Sequence, residues 1–393
     1  MTFLYDIINL EFVLVFYFII VFYLRLDILR SFLVAGHLIT IFLLNDILFD
    51  PSYWIDQYNY LNVARDIRAG NISLQGVSVG GASRILLPSF VFAFSPIPFI
   101  NSVQSIAMIN FLFYLLSFVY LRKKRISSNS IDFFFLLYPS FLLYSSLALR
   151  ETLIVFFMIL SFYFILVEEK RLPAFLFLLP LVIIKIQNFL IVILTYFVYM
   201  FLRKGSIKKY LIFFGSGLLI VFFGDRVPQI NFFFEKINWY RYNLIAENFN
   251  YNWDFMANYD YEPFTVGFSM IPLVLKSFVY MILKPLPWEV TNLVQMMQSI
   301  ENIFFVTFIV WLLRKKVYSL IIKQKLIFLN ILLVLSMTVY GLVTFNFGTA
   351  ARFRFPFIVV YLVFYLYFLR SDKMISHLYF SGYSSISSKS LVS

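Results

Sequence analysis

The chain contains no cysteine. That excludes disulfides, thiolate metal sites and cysteine nucleophiles. Histidine is almost as scarce: His37 lies in an early apolar run and His377 near the C-terminal end. A histidine-rich metal centre is thereby excluded, and each reads as a packed or surface side chain. Charged residues make up only 13% of the chain, too few to coat a soluble protein of 393 residues. A basic stretch ahead of the first apolar run is also missing, so an uncleaved first helix is expected rather than a signal peptide.

What is present is apolar: 62% of residues are hydrophobic and 21% aromatic. Runs close to ~20 apolar residues recur along the chain, the length that crosses a hydrocarbon core as a helix. A closed barrel needs alternating patterns instead. The expected class is all-α, a polytopic transmembrane helical bundle. About eleven spanning helices are predicted, over roughly 7–24, 31–49, 100–121, 131–148, 152–167, 172–186, 188–202, 210–224, 292–313, 326–344 and 355–369. They form a single integral membrane domain over 1–380, followed by a Ser-rich, disordered cytoplasmic tail over 381–393.

Basic clusters separate alternate pairs of spans: Arg25 and Arg30, Arg122–Arg125, Lys170 and Arg171, Arg203 to Lys209, Arg314–Lys316, and Arg370. The positive-inside rule places them all in the cytoplasm with the N-terminus outside. The net charge of +12 is then an orientation signal and an attraction to anionic lipid heads. No basic-aromatic module for nucleic acid accompanies it, and no nucleic-acid partner is expected. Two outer loops are substantial, at about 50–99 and 225–291. Each ends in an apolar segment, 85–99 and 264–283, expected to be re-entrant or interfacial.

The remaining cations are isolated and fall where helices meet the outer side. Arg352 and Arg354 stand in Ala351-Arg352-Phe353-Arg354-Phe355-Pro356, at the mouth of the last apolar run. Arg150 precedes Glu151 between two closely spaced helices, and Lys185 lies at an outer turn. A charge at membrane depth is a functional-site hypothesis by default. Arginine's planar fork suits bidentate contact with phosphate oxygens, and a diphosphate in a lipid head group is the partner such a fork would meet there. The bland reading is snorkelling to water, and it is preferred for Lys236, Arg241 and Lys276.

Acids supply the other half of the chemistry. Asp56, Tyr60 and Ala64 fall at i, i+4 and i+8, one face of a short helix. Asp56 is placed to deprotonate a hydroxyl as general base, or is simply an N-cap or a solvated acid. Glu151 stands behind it, or pairs with Arg150. Gly-rich residues after 70 lead to Arg84. In Lys284-Pro285-Leu286-Pro287-Trp288-Glu289 a rigid turn is followed by a tryptophan suited to interfacial anchoring or to stacking on a sugar. Asp56, Glu151, Arg150, Arg352 and Arg354 are thus the candidate catalytic residues. Tyr60, Arg84, Lys185, Lys284, Trp288 and Glu289 are the candidate substrate-binding ones.

The first outer loop, with Asp56, Tyr60 and Ala64, resembles that of GT-C-type glycosyltransferases acting on lipid-linked sugars. The runs Leu149-Arg150-Glu151, Lys284-Pro285-Leu286-Pro287-Trp288-Glu289 and Ala351-Arg352-Phe353-Arg354-Phe355-Pro356 resemble those of Wzy-type polymerases of O-antigen and capsule repeat units. The likeness spans much of the chain in order and spacing, although each motif is short. It implies a GT-C-like polymerase in the inner membrane of a Gram-negative bacterium, with its site facing the periplasm. Such an enzyme moves a growing glycan from undecaprenyl diphosphate onto the terminal sugar of an incoming undecaprenyl-diphosphate-linked unit. It uses no metal and no cofactor. Its partners are the lipid-linked oligosaccharide, membrane lipids, and a chain-length regulator and flippase of the same pathway. The competing classes are a GT-C enzyme with a polyprenyl-phosphate sugar donor and a transporter of lipid-linked glycans.

Overall fold

A computed structural model of the chain describes residues 2–45, 47–48, 54–71, 83–203, 211–212, 215, 223–248, 265, 267–344 and 347–389. The described residues form α1 (Thr2–Leu24), α2 (Ile28–Leu44), α3 (Ile55–Arg68), α4 (Ser83–Ala93), α5 (Val103–Lys123), α6 (Asn129–Leu137), α7 (Pro139–Ser146), α8 (Glu151–Leu166), α9 (Arg171–Leu178), α10 (Pro180–Leu202), α11 (Pro228–Asn248), α12 (Met270–Leu283), α13 (Leu293–Leu313), α14 (Leu320–Val343) and α15 (Phe347–Lys389). The protein is an all-helical membrane protein.

Among the described residues, six helices are long and apolar enough to cross a membrane: α1 from Phe3, α5, α10, α13, α14 and the Phe347–Met374 part of α15. A seventh span arises if α7 and α8, bent by 116° at their junction, are one broken element. The eleven predicted spans do not map onto these one for one. The predicted 131–148 is two short helices, α6 and α7, because Pro139 starts a new helix at N1. The predicted 172–186 and 188–202 are α9 and α10, and α10 is broken at Lys185, whose φ of −161° and ψ of 85° are not helical. The predicted 210–224 lies largely outside the described residues. The apolar segments ending the two outer loops are α4 and α12. At 1.5 Å per residue their 11 and 14 residues reach about 17 and 21 Å, short of a ~30 Å hydrocarbon core. The helix α15 continues into the Ser-rich stretch expected to be a disordered tail.

The chain divides into two compact units, Met1–Leu190 with Leu362–Tyr367, and Ile191–Tyr361 with Phe368–Ser393. In the first unit α5 is the most enclosed span, with α1, α2, α7 and α8 packed around it. Its Tyr114 stacks on His37 at 4.2 Å and on Phe135 at 5.1 Å. His37 is fully buried and bonded on both ring nitrogens, to Ser145 Oγ and the Leu136 carbonyl. It is a packed core histidine, as one of the two readings from the sequence expected.

One end of this unit gathers three of the basic clusters. Asp132, 3% exposed, holds both Arg30 and Arg122. Glu168 holds Lys170 at 2.7 Å and Lys124 at 3.7 Å. Segments far apart in sequence thus present their cations at one end of this unit, as the expectation that these three clusters share one side of a membrane requires. The other end is where α5 begins. There Asn9 exchanges hydrogen bonds with both backbone groups of Phe99, and Arg68 donates to the carbonyls of Ala93, Ser95, Ile97 and Pro98.

In the second unit α12 packs chiefly on α14. A Cβ on Gly341 would lie 2.2 Å from the Ser277 carbonyl oxygen. Only glycine permits this close approach of two helix backbones. At a further end, both carboxylate oxygens of Asp372 accept the backbone N–H groups of Tyr318 and Ser319, tying the loop that carries Arg314–Lys316 to α15.

Candidate functional site

Two polar regions stand out, one in each unit. The first is the break between α7 and α8, residues 147–150, hereafter the hub. A helix broken inside an apolar environment leaves carbonyls and N–H groups without intrahelical partners, and each needs a polar replacement. Asn110, in the middle of α5, donates its amide to the carbonyls of Leu147 and Leu149. Gln57 of α3 accepts the Ala148 N–H at 2.6 Å. Asn45 donates to the Ser146 carbonyl, and Thr152 to that of Tyr144.

Charge follows at once. Arg150 is the N-cap residue of α8 and Glu151 opens its first turn. The partial positive charge at a helix N-terminus stabilises the carboxylate and repels the guanidinium. Arg150 is accordingly turned away: its Nη1 donates to the Ile184 carbonyl at 2.9 Å, beside the non-helical Lys185. Glu151 is fully buried, Lys185 is 4% exposed and Asn188 is fully buried. The break in α8 and the break in α10 are therefore linked through Arg150.

Five predicted residues of the first unit are located. Arg150 and Glu151 are at the hub, and Lys185 follows the Ile184 carbonyl that Arg150 holds. Asp56 is half-buried in the first turn of α3, next to the Gln57 that reaches the hub; the N-cap of that helix is Trp54, not Asp56. Tyr60 lies on the buried face of α3, 2% exposed, with its ring edge on Phe92. The side chain of Arg84 lies outside the described residues.

The second region is the turn after α12, hereafter the clamp. It begins at Lys284-Pro285, a cis peptide. The last carbonyls of a helix need donors, and here they come from two other helices. Asn302 of α13 donates to the carbonyls of Leu283 and Lys284. Arg354 of α15, 2% exposed, donates through Nη1 to those of Met281 and Lys284. Lys284 pairs with Glu289 at 2.8 Å, and Glu289 also accepts the Leu286 N–H. Burial acts to raise the Glu289 carboxyl's pKa, but that N–H and the Lys284 ammonium outweigh it, so the net shift is downward. Trp288 projects outward, 79% exposed. Arg352 is half-buried. Two residues apart on one helix, Arg352 and Arg354 point in divergent directions.

The polar residues that hold these regions escaped the reading from sequence: Gln57 and Asn110 in the hub, and Asn302 in the clamp. Near Asn302 on α13, Gln298, Ser299 and Glu301 are also buried. Asn110 is a lone amide within an apolar run, and Gln298, Ser299, Glu301 and Asn302 form a polar cluster inside one; those interruptions were the available signal.

No family model, no curated protein and no solved structure matches this chain.

Proposed function

We propose that the protein is a glycosyltransferase that polymerises lipid-linked oligosaccharide repeat units, moving the growing glycan from undecaprenyl diphosphate to the terminal sugar of the next lipid-linked unit. The observation that supports this best is the hub, where a buried carboxylate lies beside an arginine that bonds the backbone next to a buried lysine at a second helix break. Eleven spans with the N-terminus outside complete the reading, with α4 and α12 as its re-entrant or interfacial outer segments. The hub then opens to the periplasmic side of the inner membrane: α8 runs 16 residues, about 24 Å, from Glu151 towards the basic end.

In this mechanism the acceptor hydroxyl attacks the anomeric carbon of the donor sugar. The C1–O bond to the diphosphate breaks, and the electron pair leaves with the diphosphate oxygen. Asp56 takes the hydroxyl proton, with Glu151 as the alternative base. Fixed cations aimed at the leaving oxygen stabilise the charge that develops there. That role belongs to Arg352 and Arg354, with Arg150 as second choice. Arg84, Lys185, Lys284, Trp288, Glu289 and Tyr60 bind substrate. Diphosphate is a good leaving group and needs no general acid, and no metal or cofactor enters.

One observation favours a second reading. Discontinuous helices with buried charges also build transporter sites, so a transporter of the same lipid-linked glycans is the competitor. The surface-glycan ladder of a deletion strain separates the two. Loss of the ladder with single capped units retained supports the polymerase. Loss of every surface unit, with lipid-linked units trapped in the cytoplasmic leaflet, supports the transporter and overturns the polymerase.

A further inference from the structure

At the end of the first unit where α5 begins, a cleft of about 680 Å³ runs between the second half of α3 and the turn from Pro98 to Asn101. We infer that this cleft binds the hydroxyl groups of a sugar and seats the acceptor glycan; the identity of that glycan rests on the polymerase reading above.

The walls follow from the sequence. Asn62, Arg65, Asp66 and Ala69 recur at i, i+3, i+4 and i+7 and form one stripe of α3. The buried stripe of the same helix is a different one, with Gln57, Tyr60, Leu61, Ala64 and Ile67. The helix ends in a Schellman turn: Gly70, at φ +76°, donates to the Ile67 carbonyl and Asn71 to that of Asp66. This turn brings Asn71 to the cleft. Arg68 fixes the opposite wall through its four carbonyl contacts. The backbone walls are therefore fixed before any ligand arrives, and the volume lies in the range of small-molecule sites.

The chemistry of the lining selects the ligand. Arg68 is committed to carbonyls, so the cleft presents Arg65, Asp66 and the three amides of Asn62, Asn71 and Asn101. Among the described residues, none of these five side chains has a hydrogen-bond or ion-pair partner within the protein. Each amide both donates and accepts, and a carboxylate only accepts. A phosphate needs donors alone and would be repelled by Asp66. A sugar, whose hydroxyls donate and accept at once, matches the set.

Position agrees. From the turn, α5 runs 21 residues to Lys123, about 31 Å, and delivers Arg122 to Asp132 at the basic end. The cleft is thus a membrane thickness away from the cytoplasmic clusters. The same α3 carries Gln57 into the hub, and Asn62 to Asp66 lie about 8–14 Å farther along its axis. An oligosaccharide of a few residues covers that distance.

The test uses the full-length protein in detergent. Its probe is the host strain's own repeat-unit oligosaccharide, freed of lipid and phosphate, with inorganic diphosphate beside it. Titration calorimetry should show that the oligosaccharide binds and that diphosphate does not displace it. Asn62→Ala combined with Asn101→Ala should weaken binding at least tenfold at an unchanged melting temperature, and Asp66→Asn should weaken it less. In the complemented deletion strain the double variant should shorten the ladder. An oligosaccharide that does not bind, that diphosphate displaces, or that binds the double variant as tightly as the wild type would overturn the cleft assignment. A deletion strain with an intact ladder overturns the polymerase reading instead, and the cleft is then judged on the titration alone.

Discussion

The hub and the clamp solve one problem with the same parts. In each, a single asparagine amide from a membrane span covers two orphan carbonyls, Asn110 on Leu147 and Leu149, Asn302 on Leu283 and Lys284. In each, an arginine Nη1 covers more backbone oxygen, Arg150 on Ile184 and Arg354 on Met281 and Lys284. They differ in where the carboxylate lies. Glu151 of the hub is fully buried, whereas Glu289 of the clamp is half-buried and paired with Lys284. A buried acid is costly unless it is compensated and used. Under the polymerase reading, the comparison points to the hub for the base, while the clamp holds a rigid, outward-facing turn beside Arg352.

The largest effects test that division directly. Glu151→Gln keeps the shape and removes the charge, so long polymer should fall at least a hundredfold at normal protein level, within the usual worth of a general base. Arg352→Ala should likewise abolish long polymer and leave single capped units, since a lost charge-stabilising donor costs about 10²–10³ in rate. Arg354→Ala should lose long polymer as well and also reduce the amount of folded protein, because it uncovers the Met281 carbonyl, while that of Lys284 keeps Asn302. Ladder gels with immunoblots in one complemented strain read all three. Normal ladders from Glu151→Gln would dissolve the distinction, and so would normal levels of Arg354→Ala protein.

The asparagines sharpen it. Each orphaned buried carbonyl costs about 1–3 kcal/mol. Leu147 and Leu149 are fully buried, while Leu283 and Lys284 are half-buried and water can replace the lost amide. Asn110→Ala should therefore lower the melting temperature in detergent more than Asn302→Ala does. Equal drops would mean that the clamp is as dry as the hub. Gly341→Ala probes the clamp's foundation. The added methyl meets backbone at Ser277, so α12 and α14 must separate, at a cost of about 1–3 kcal/mol, with the hub unaffected.

Much of this was legible in the sequence. Apolar runs revealed the class, and basic clusters revealed which helix ends share a side. The residues Arg150, Glu151 and Lys185 were visible because charge in an apolar run is rare. What the letters did not carry was the backbone. Pro139 signalled a helix start, and the expected helix ends at 148 and 152 and at 186 and 188 fell close to the two breaks, but the tertiary donor and acceptor that hold the first of them, Asn110 and Gln57, were not marked. The same gap hid the role of Arg354. From sequence it is a cation seeking an anion, whereas in the fold its Nη1 faces carbonyls. The eleven expected spans differ from the six or seven long helices for the same reason: hydropathy counts apolar length and does not see where it is interrupted.

The smallest expected effect concerns the clamp's carboxylate. Glu289 has a folded pKa below its ordinary value, so the pair with Lys284 stabilises the fold above the unfolded glutamate pKa, about 4.3, and that contribution is lost as pH falls through the lowered folded value. The pair is partly solvated, which limits its worth to about 0–1 kcal/mol. Melting curves of wild type and Glu289→Gln from pH 7 to pH 3 should lie slightly apart at neutral pH and converge below pH ~4. Curves that stay parallel to pH 3 would show that the turn is held by Arg354 and Asn302 alone, making the clamp purely a matter of covered carbonyls and widening its contrast with the charged hub.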